Sequence, residues 1–137
     1  MITNPKSSPE NEDCKDWLAN LVSKGVAVVI PEITDYEVRR ELLRSGKAAG
    51  LGRLDALRGM LDYATITTPI MRKAAEFWAT ARNIGRQSAN DTSLDADMIL
   101  AAQADAFTRD GNRAIIATTN VRHLALFSSA RIWRDIG

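Results

Sequence analysis

Two short and almost wholly apolar runs constrain the fold of this chain more than any other feature of its sequence. Residues 26–30 read VAVVI and residues 114–118 read AIIAT, and both runs are rich in β-branched side chains. Runs without a polar alternation are typical of parallel strands that are covered on both faces. We expect both runs to be buried strands, with Pro31 ending the first, and we expect shorter strands at residues 65–68 and 130–133.

Helical periodicity fills the segments between these strands. After a polar loop over residues 3–13, the spacing of apolar residues predicts helices that end at glycines or turn residues. The predicted helices cover residues 13–24, 34–44, 51–63, 69–85 and 92–111, and a turn or short helix covers residues 121–127. Thr34 with Glu37, and Thr92 with Asp95, have the spacing of capping boxes. Strands that alternate with helices predict an α/β fold with a mainly parallel sheet.

The size and composition of the chain fit one globular domain. The 137 residues are 45% hydrophobic and 26% charged, which argues against disorder and predicts a single domain over residues 1–137. No apolar run approaches the roughly 18 residues of a membrane span, and residues 1–6 have no apolar core like that of a signal peptide. The single cysteine, Cys14, excludes an internal disulfide and a cysteine-based zinc site. We therefore expect a soluble cytoplasmic protein without a membrane partner.

Basic residues are clustered although the net charge is only +1. The two clusters consist of Arg39, Arg40, Arg44, Lys47, Arg53 and Arg58, and of Arg72, Lys73, Arg82 and Arg86. Such clusters can follow the phosphates of a nucleic acid. They can equally be the solvated faces of charged helices, and the sequence leaves both interpretations open.

Polar residues near the strand ends are the candidates for chemistry, because sites in parallel sheets lie at the carboxyl ends of the strands. Glu37 follows the first strand, Asp97 lies on the helix before the second, and Thr118 and Asn120 end that second strand. Asp95 is roughly 200° around the helix from Asp97 and is interpreted as structural. Hard ions such as Mg²⁺ prefer carboxylate oxygens. Glu37 and Asp97 are therefore candidate metal ligands, and Thr118 and Asn120 are candidates for orienting water or a phosphate.

Each of these residues also has a purely structural interpretation. Glu37 fits the third position of a capping box, and Asp97 can favour its helix through the macrodipole. The segment from Thr118 to Asn120 can be an ordinary turn. His123 can be a surface turn residue rather than a ligand or a base. We expect the aromatic side chains to lie in the core; these are Trp17, Phe77, Trp78 and Trp133.

Taken together, three segments resemble the PIN-domain family. Residues 30–42 (IPEITDYEVRREL) look like its strand-to-helix stretch, with an acidic metal ligand at the position of Glu37. Residues 97–102 (DMILAA) are similar to its Asp-x-x-Ile-Ala-Ala signature, and residues 118–124 (TTNVRHL) to its Thr-x-Asn-x-x-Asp-Phe segment. The resemblance implies a three-layer α/β/α fold and RNA cleavage that depends on Mg²⁺ or Mn²⁺. Many small stand-alone members are the toxins of toxin–antitoxin pairs and are often dimeric, which implies RNA, an antitoxin and a second copy as partners.

The chain departs from this family pattern at two positions. The family's first, central strand and the aspartate that ends it have no counterpart, since residues 1–6 read MITNPK. We expect the natural protein to extend upstream by about ten residues, roughly one strand and its end. The fourth acidic position falls on His123, so two of four acidic positions are matched, by Glu37 and Asp97.

Three functional hypotheses remain open from the sequence. The first is a metal-dependent ribonuclease that uses Glu37, Asp97, Thr118 and Asn120. The second is a catalytically impaired relative that binds RNA or another protein, which the missing aspartate and His123 favour. The third is an unrelated doubly wound domain with a small-ligand site.

Overall fold

The structure is a computed structural model that describes residues 9–85 and 91–137, except for the side chains of residues 91–93. The chain divides into two compact units, the first ending at Ala64 and the second covering Thr65–Ile136. Both contain helices and one pair of parallel strands. The α/β class with parallel strands is therefore confirmed, and the fold is rich in helix with little sheet. The assignment of residues 1–137 to a single domain stays a prediction.

The described part of the first unit contains three helices and one parallel strand pair. Its elements are α1 (Pro9–Ser23), β1 (Val29–Pro31), α2 (Glu32–Arg44), α3 (Ala48–Met60) and β2 (Asp62–Ala64). Strands β1 and β2 pair in register from Val29 opposite Asp62 to Pro31 opposite Ala64. Its buried apolar side chains are Cys14, Leu18, Leu21, Ile33 and Leu54. The short β1–β2 ladder leads directly into α2, the helix that carries Glu37.

The second unit is built on two long helices. Its elements are α4 (Thr68–Asn83), α5 (Asp91–Arg109), β3 (Ile116–Thr118), a 3₁₀ turn (Leu124–Leu126), β4 (Ala130–Ile132) and a final 3₁₀ turn (Trp133–Asp135). Strands β3 and β4 are parallel, with Ile116 opposite Ala130. A core cluster joins α4 and α5; its buried members are Ile70, Ala74, Ala81, Leu94, Met98 and Ala102.

Sequence explains where α4 begins and which face it buries. The hydroxyl of Thr67 accepts a hydrogen bond from the backbone N–H of Ile70 at 3.4 Å, and Pro69 lies in the first turn. Both are favoured helix-start features, so the predicted role of Pro69 is confirmed. Ile70, Ala74 and Ala81 are spaced four and seven residues apart and lie on one buried face. The two small alanines allow α5 to approach closely.

The predicted first strand is wrong in its boundaries, because its first residues close α1 instead. Gly25 has a φ of 77°, and the N–H of Val26 bonds to the carbonyl of Leu21 at 3.1 Å. This is the hydrogen bond of a helix end with a left-handed glycine. Val26 is 47% exposed, and β1 covers only Val29–Pro31.

Several other boundaries also differ from the predictions. Helix α1 starts at Pro9 rather than residue 13, which suits a proline and the acidic Glu10 and Glu12 in a first turn. The third helix is Ala48–Met60, so the following strand is Asp62–Ala64 rather than residues 65–68. Pairing with β1 explains why the strand begins earlier than predicted. The N–H of Asp62 donates to the carbonyl of Val28, the residue before β1, at 3.2 Å.

Two further interpretations of individual residues are wrong. Helix α2 begins at Glu32, and the residue before it, Pro31, makes no side-chain capping bond. Thr34 therefore lies inside α2 and does not cap the helix. Glu37 is consequently not the third residue of a capping box. Trp78 is 37% exposed and therefore is not a core residue, whereas Trp133 is buried as expected. The predicted capping box of Thr92 and Asp95 lies outside the described residues, because the side chain of Thr92 is not among them.

Candidate functional site

Asp97 lies well inside α5 rather than at its start. The helix begins at Asp91, so Asp97 is its seventh residue, beyond the first turn where the macrodipole acts strongly. Its side chain is 34% exposed, next to the fully buried Met98. The macrodipole therefore gives a weak reason for an aspartate at this position. A half-buried carboxylate at this depth needs a partner.

The partner of Asp97 within the second unit is His123. The Nδ1 atom of His123 lies 3.3 Å from Oδ2 of Asp97, and the imidazole side chain is only 10% exposed. Burial raises the pKa of Asp97 above its usual range, and the contact with His123 partly opposes that increase. The carboxylate is thus less stable in its charged form than an exposed one, and a positive neighbour would stabilise it.

The apolar core brings His123 to Asp97. Leu124, the residue after His123, is 2% exposed and belongs to a buried cluster with Ala101 and Ile116. Ala101 lies one helical turn beyond Asp97 on α5, on the same side of the helix. Because Leu124 is anchored beside Ala101, the preceding His123 reaches the turn that carries Asp97. His123 is therefore buried beside a carboxylate and is not a surface turn residue.

Thr118 and Asn120 lie where predicted, at the end of β3, and bond to each other. The hydroxyl of Thr118 donates to the carbonyl of Asn120 at 3.2 Å and accepts from its N–H at 3.1 Å. The side-chain carbonyl of Asn120 accepts from the N–H of Arg122 at 3.2 Å. These bonds form the tight turn that leads to His123, the local role that such residues commonly have.

Glu37 belongs to the first unit and has surroundings of its own. It is the sixth residue of α2, its side chain is 42% exposed, and Oε2 lies 3.9 Å from Arg40. An exposed ion pair of this kind contributes little stability. An open groove of about 380 Å³ runs along α2 beside it, lined by Thr34, Glu37, Val38, Glu41 and Leu42. The start of α2 does not explain the choice of glutamate here, because Glu37 lies beyond its first turn.

A second buried carboxylate, Asp35, was missed by the sequence reasoning. It is 8% exposed and accepts hydrogen bonds from Arg39 at 3.1 Å and from the hydroxyl of Tyr63 at 3.2 Å. Arg39 also bonds to Asp55 at 2.7 Å, which links α2 to α3. Burial, and then the charges of Asp35 and Glu32, raise the pKa of Tyr63. The four-residue spacing of Asp35 and Arg39 was a visible signal, but nothing local indicated Tyr63.

The described residues supply few donors for a metal ion. No group of three or more histidine, cysteine, aspartate or glutamate side chains that could hold a metal is found within residues 9–85 and 91–137. Asp97 and His123 are a pair, one oxygen and one nitrogen donor, and the carboxylate that burial destabilises fits a cation. No described helix is long and apolar enough to cross a membrane.

Fold and site together define an α/β protein in which a half-buried acidic residue meets the turn after a parallel strand. Compared with known protein families, the sequence matches the PIN domain over residues 2–126 of 137, and the chain belongs to the PIN-domain family. No curated protein and no solved structure gives a significant match. The resemblance and the α/β class expected from it are confirmed. The family has a nuclease-type fold, generally uses divalent metal ions and commonly binds RNA.

Proposed function

We propose that this protein is a metal-dependent ribonuclease that hydrolyses phosphodiester bonds in RNA. Glu37 and Asp97 are the proposed ligands of Mg²⁺ or Mn²⁺, and Thr118 and Asn120 the groups that shape the site beside it. The observation that carries the proposal is the position of Asp97. It is a half-buried carboxylate in the interior of α5, where the helix start does not explain an aspartate. Glu37 enters through its place in the family's motif order.

Burial of Asp97 supports a cation at this carboxylate. Because burial raises its pKa, the charged form lacks stabilisation that water would give. A bound divalent ion would supply that stabilisation, and it can activate water and neutralise charge on a phosphodiester. Asp97 would hold the ion, and the turn of Thr118 and Asn120 would fix the chain beside it.

Pairs of an arginine and an exposed aromatic ring support RNA as the substrate. Arg40 lies 5.1 Å from the ring centre of Tyr36, which is 55% exposed, and Arg82 lies 5.2 Å from that of Trp78. Such pairs can contact a phosphate and stack on a base. Arg39, in the first basic cluster, bonds to two aspartates and is therefore less available for a phosphate.

The test is cleavage of an end-labelled structured RNA by protein freed of metal and then given Mg²⁺ or Mn²⁺. We compare the variants Glu37→Gln and Asp97→Asn with the wild type. Asp95→Asn is the matched control for Asp97→Asn, because it removes an exposed carboxylate from the same helix, α5. We expect cleavage to need metal, to fall at least about a hundredfold in the first two variants because a ligand is lost, and to persist in the control. Equal cleavage by the wild type and Asp97→Asn would refute the proposal.

A second candidate function is an RNA-binding or protein-interaction module without cleavage. The contact of His123 with Asp97 favours it, because a position that is acidic in the resembled pattern here holds an imidazole. A gel shift with the same RNA separates the two candidates. RNA bound without cleavage under every metal condition would support the module.

We further propose that the protein acts in the cytoplasm as the toxin of a toxin–antitoxin pair, with a cognate antitoxin and a second copy as protein partners. Growth arrest on expression, abolished by Asp97→Asn, would support the toxin role. Normal growth with active protein present would argue against it. Light scattering of the purified protein tests the second copy, and a monomer at all concentrations would exclude it.

A further inference from the structure

The pairing of Asp97 with His123 has a chemical consequence for the metal. His123 is the single histidine of the chain, and its Nδ1 atom lies 3.3 Å from a carboxylate oxygen of Asp97. We infer that Asp97 and His123 form a mixed oxygen–nitrogen metal site that selects a first-row ion between Mn²⁺ and Zn²⁺ over Mg²⁺. This inference rests on the proposed function, because it names the metal class of the same site.

The distance between the two atoms suits joint binding of one ion. Oxygen and nitrogen ligands bind such ions at about 2.1 Å, and at angles of about 90–110° two such donors lie roughly 3.0–3.4 Å apart. The separation of 3.3 Å between Nδ1 and Oδ2 falls in this range. The separation of the two donors therefore allows both to contact one ion, with the ring proton on Nε2.

Burial and access are also compatible with an ion at this position. His123 is held with 10% of its side chain exposed, while the Asp97 side chain is 34% exposed. The ion would enter from the Asp97 side, and water would complete its coordination. It would also place a positive charge beside the half-buried carboxylate.

His123 is held in place before any ion binds. Leu124 anchors it to the core cluster at 2% exposure, and Asn120 fixes the preceding turn through the N–H of Arg122. A ligand that is already ordered loses little conformational freedom on binding. A donor that is held in this way can bind an ion more tightly than a mobile surface side chain.

Selectivity follows from the nature of the donors. Mg²⁺ prefers oxygen, releases its waters reluctantly and depends on the negative charge of carboxylates. An imidazole in place of a carboxylate removes one charge and offers a nitrogen, which raises affinity along the series from Mn²⁺ to Cu²⁺, with Zn²⁺ below Cu²⁺. The change therefore weakens Mg²⁺ and favours the later ions.

The test measures binding of Co²⁺ and Mg²⁺ to protein without an affinity tag, by calorimetry and by the visible spectrum of bound Co²⁺. We compare the wild type with Asp97→Asn, His123→Gln and His123→Asp. We expect His123→Gln to weaken Co²⁺ by at least about tenfold, since even an outer-shell partner contributes this much. His123→Asp should weaken Co²⁺ and strengthen Mg²⁺. Cys14→Ser is the control for the single thiol, which lies buried on α1, and should leave Co²⁺ binding unchanged.

A second measurement needs no variant. Diethyl pyrocarbonate modifies imidazoles, and His123, whose side chain is 10% exposed, has the only imidazole in the chain. Saturating Co²⁺ should slow its modification, and Mg²⁺ at the same concentration should not. Circular dichroism of each variant confirms that it is folded.

Several outcomes would overturn the inference. These are no Co²⁺ binding by the wild type, equal Co²⁺ affinity in His123→Gln, or no protection of His123 by Co²⁺. If RNA cleavage then still depends on Asp97, the proposed function stands without the inference. If Co²⁺ binds through both residues and no RNA is cleaved, the inference stands and the ribonuclease proposal fails.

Discussion

Oδ2 of Asp97 and Nδ1 of His123 lie 3.3 Å apart, although 26 residues separate them in the chain. Helix α5 supplies the carboxylate, and the 3₁₀ turn that begins at Leu124 holds the imidazole. Because burial raises the pKa of Asp97, the folded protein holds the proton of this carboxyl more tightly than the unfolded chain does. The contact thus has a thermodynamic consequence that can be measured without RNA or metal.

Asp97→Asn should gain stability relative to the wild type as pH rises. The folded pKa of Asp97 is the higher one, so its stabilising contribution is present in acid and is lost as pH rises through the folded pKa. Asparagine carries no charge at any of these pH values. Urea unfolding in EDTA from acid to neutral pH measures the difference. A difference that stays constant across the series would show that burial does not penalise the Asp97 charge.

Tyr63→Phe should destabilise the protein by about 0.5–1.5 kcal/mol, because it removes the hydroxyl that donates to Asp35 at 3.2 Å. Asp35→Ala should cost more, about 1–3 kcal/mol, since it leaves Tyr63 and Arg39 without their buried acceptor. Urea unfolding measures both.

Tyr36→Phe is the matched control for Tyr63→Phe. Tyr36 is 55% exposed, and a phenylalanine keeps the ring that Arg40 covers. We expect a change below about 0.5 kcal/mol.

In a double-mutant cycle, the effects of Tyr63→Phe and Asp35→Ala on the free energy of unfolding should not add. Additive effects would mean that the two side chains do not interact.

Gly52→Ala should stabilise the protein by about 0.5–1 kcal/mol, because alanine favours a helix interior. A Cβ at Gly52 in α3 meets no atom within 4 Å. At Gly50 in the same helix, a Cβ would lie 2.7 Å from Cδ2 of Leu42 on α2. Gly50→Ala should therefore gain less or destabilise, as Leu42 must move. Equal gains on thermal unfolding would show that the two helices are less closely packed there.

Local sequence signals were enough for the helices and for the class of fold. Apolar periodicity located the five α-helices of the described residues, and Pro69 marked the start of α4 correctly. The first strand was misplaced because apolar composition does not show that Val26 completes the end of α1 through Leu21. The backbone hydrogen bonds of a helix end took precedence over the strand preference of the side chains.

The candidate site could be predicted only in part, because its residues are positioned by contacts that are distant in the chain. Motif order identified Asp97 and the position of His123, but their contact depends on Leu124 being buried with Ala101. The bond of Tyr63 to Asp35 spans 28 residues and has no local signature. Whether Glu37 acts as a ligand stays a prediction.

Leu124→Ala should destabilise the protein by about 2–5 kcal/mol and also release His123. Leu124 is 2% exposed in the cluster with Ala101, so its loss leaves a cavity where the 3₁₀ turn is anchored. Leu43→Ala is the matched control, since Leu43 is 61% exposed and should cost below about 1 kcal/mol. NMR of the folded variant follows the imidazole resonances of His123, the single histidine of the chain. These resonances should shift toward those of the unfolded chain. If stability falls while these resonances stay unchanged, Leu124 supports the core but does not position His123 against Asp97.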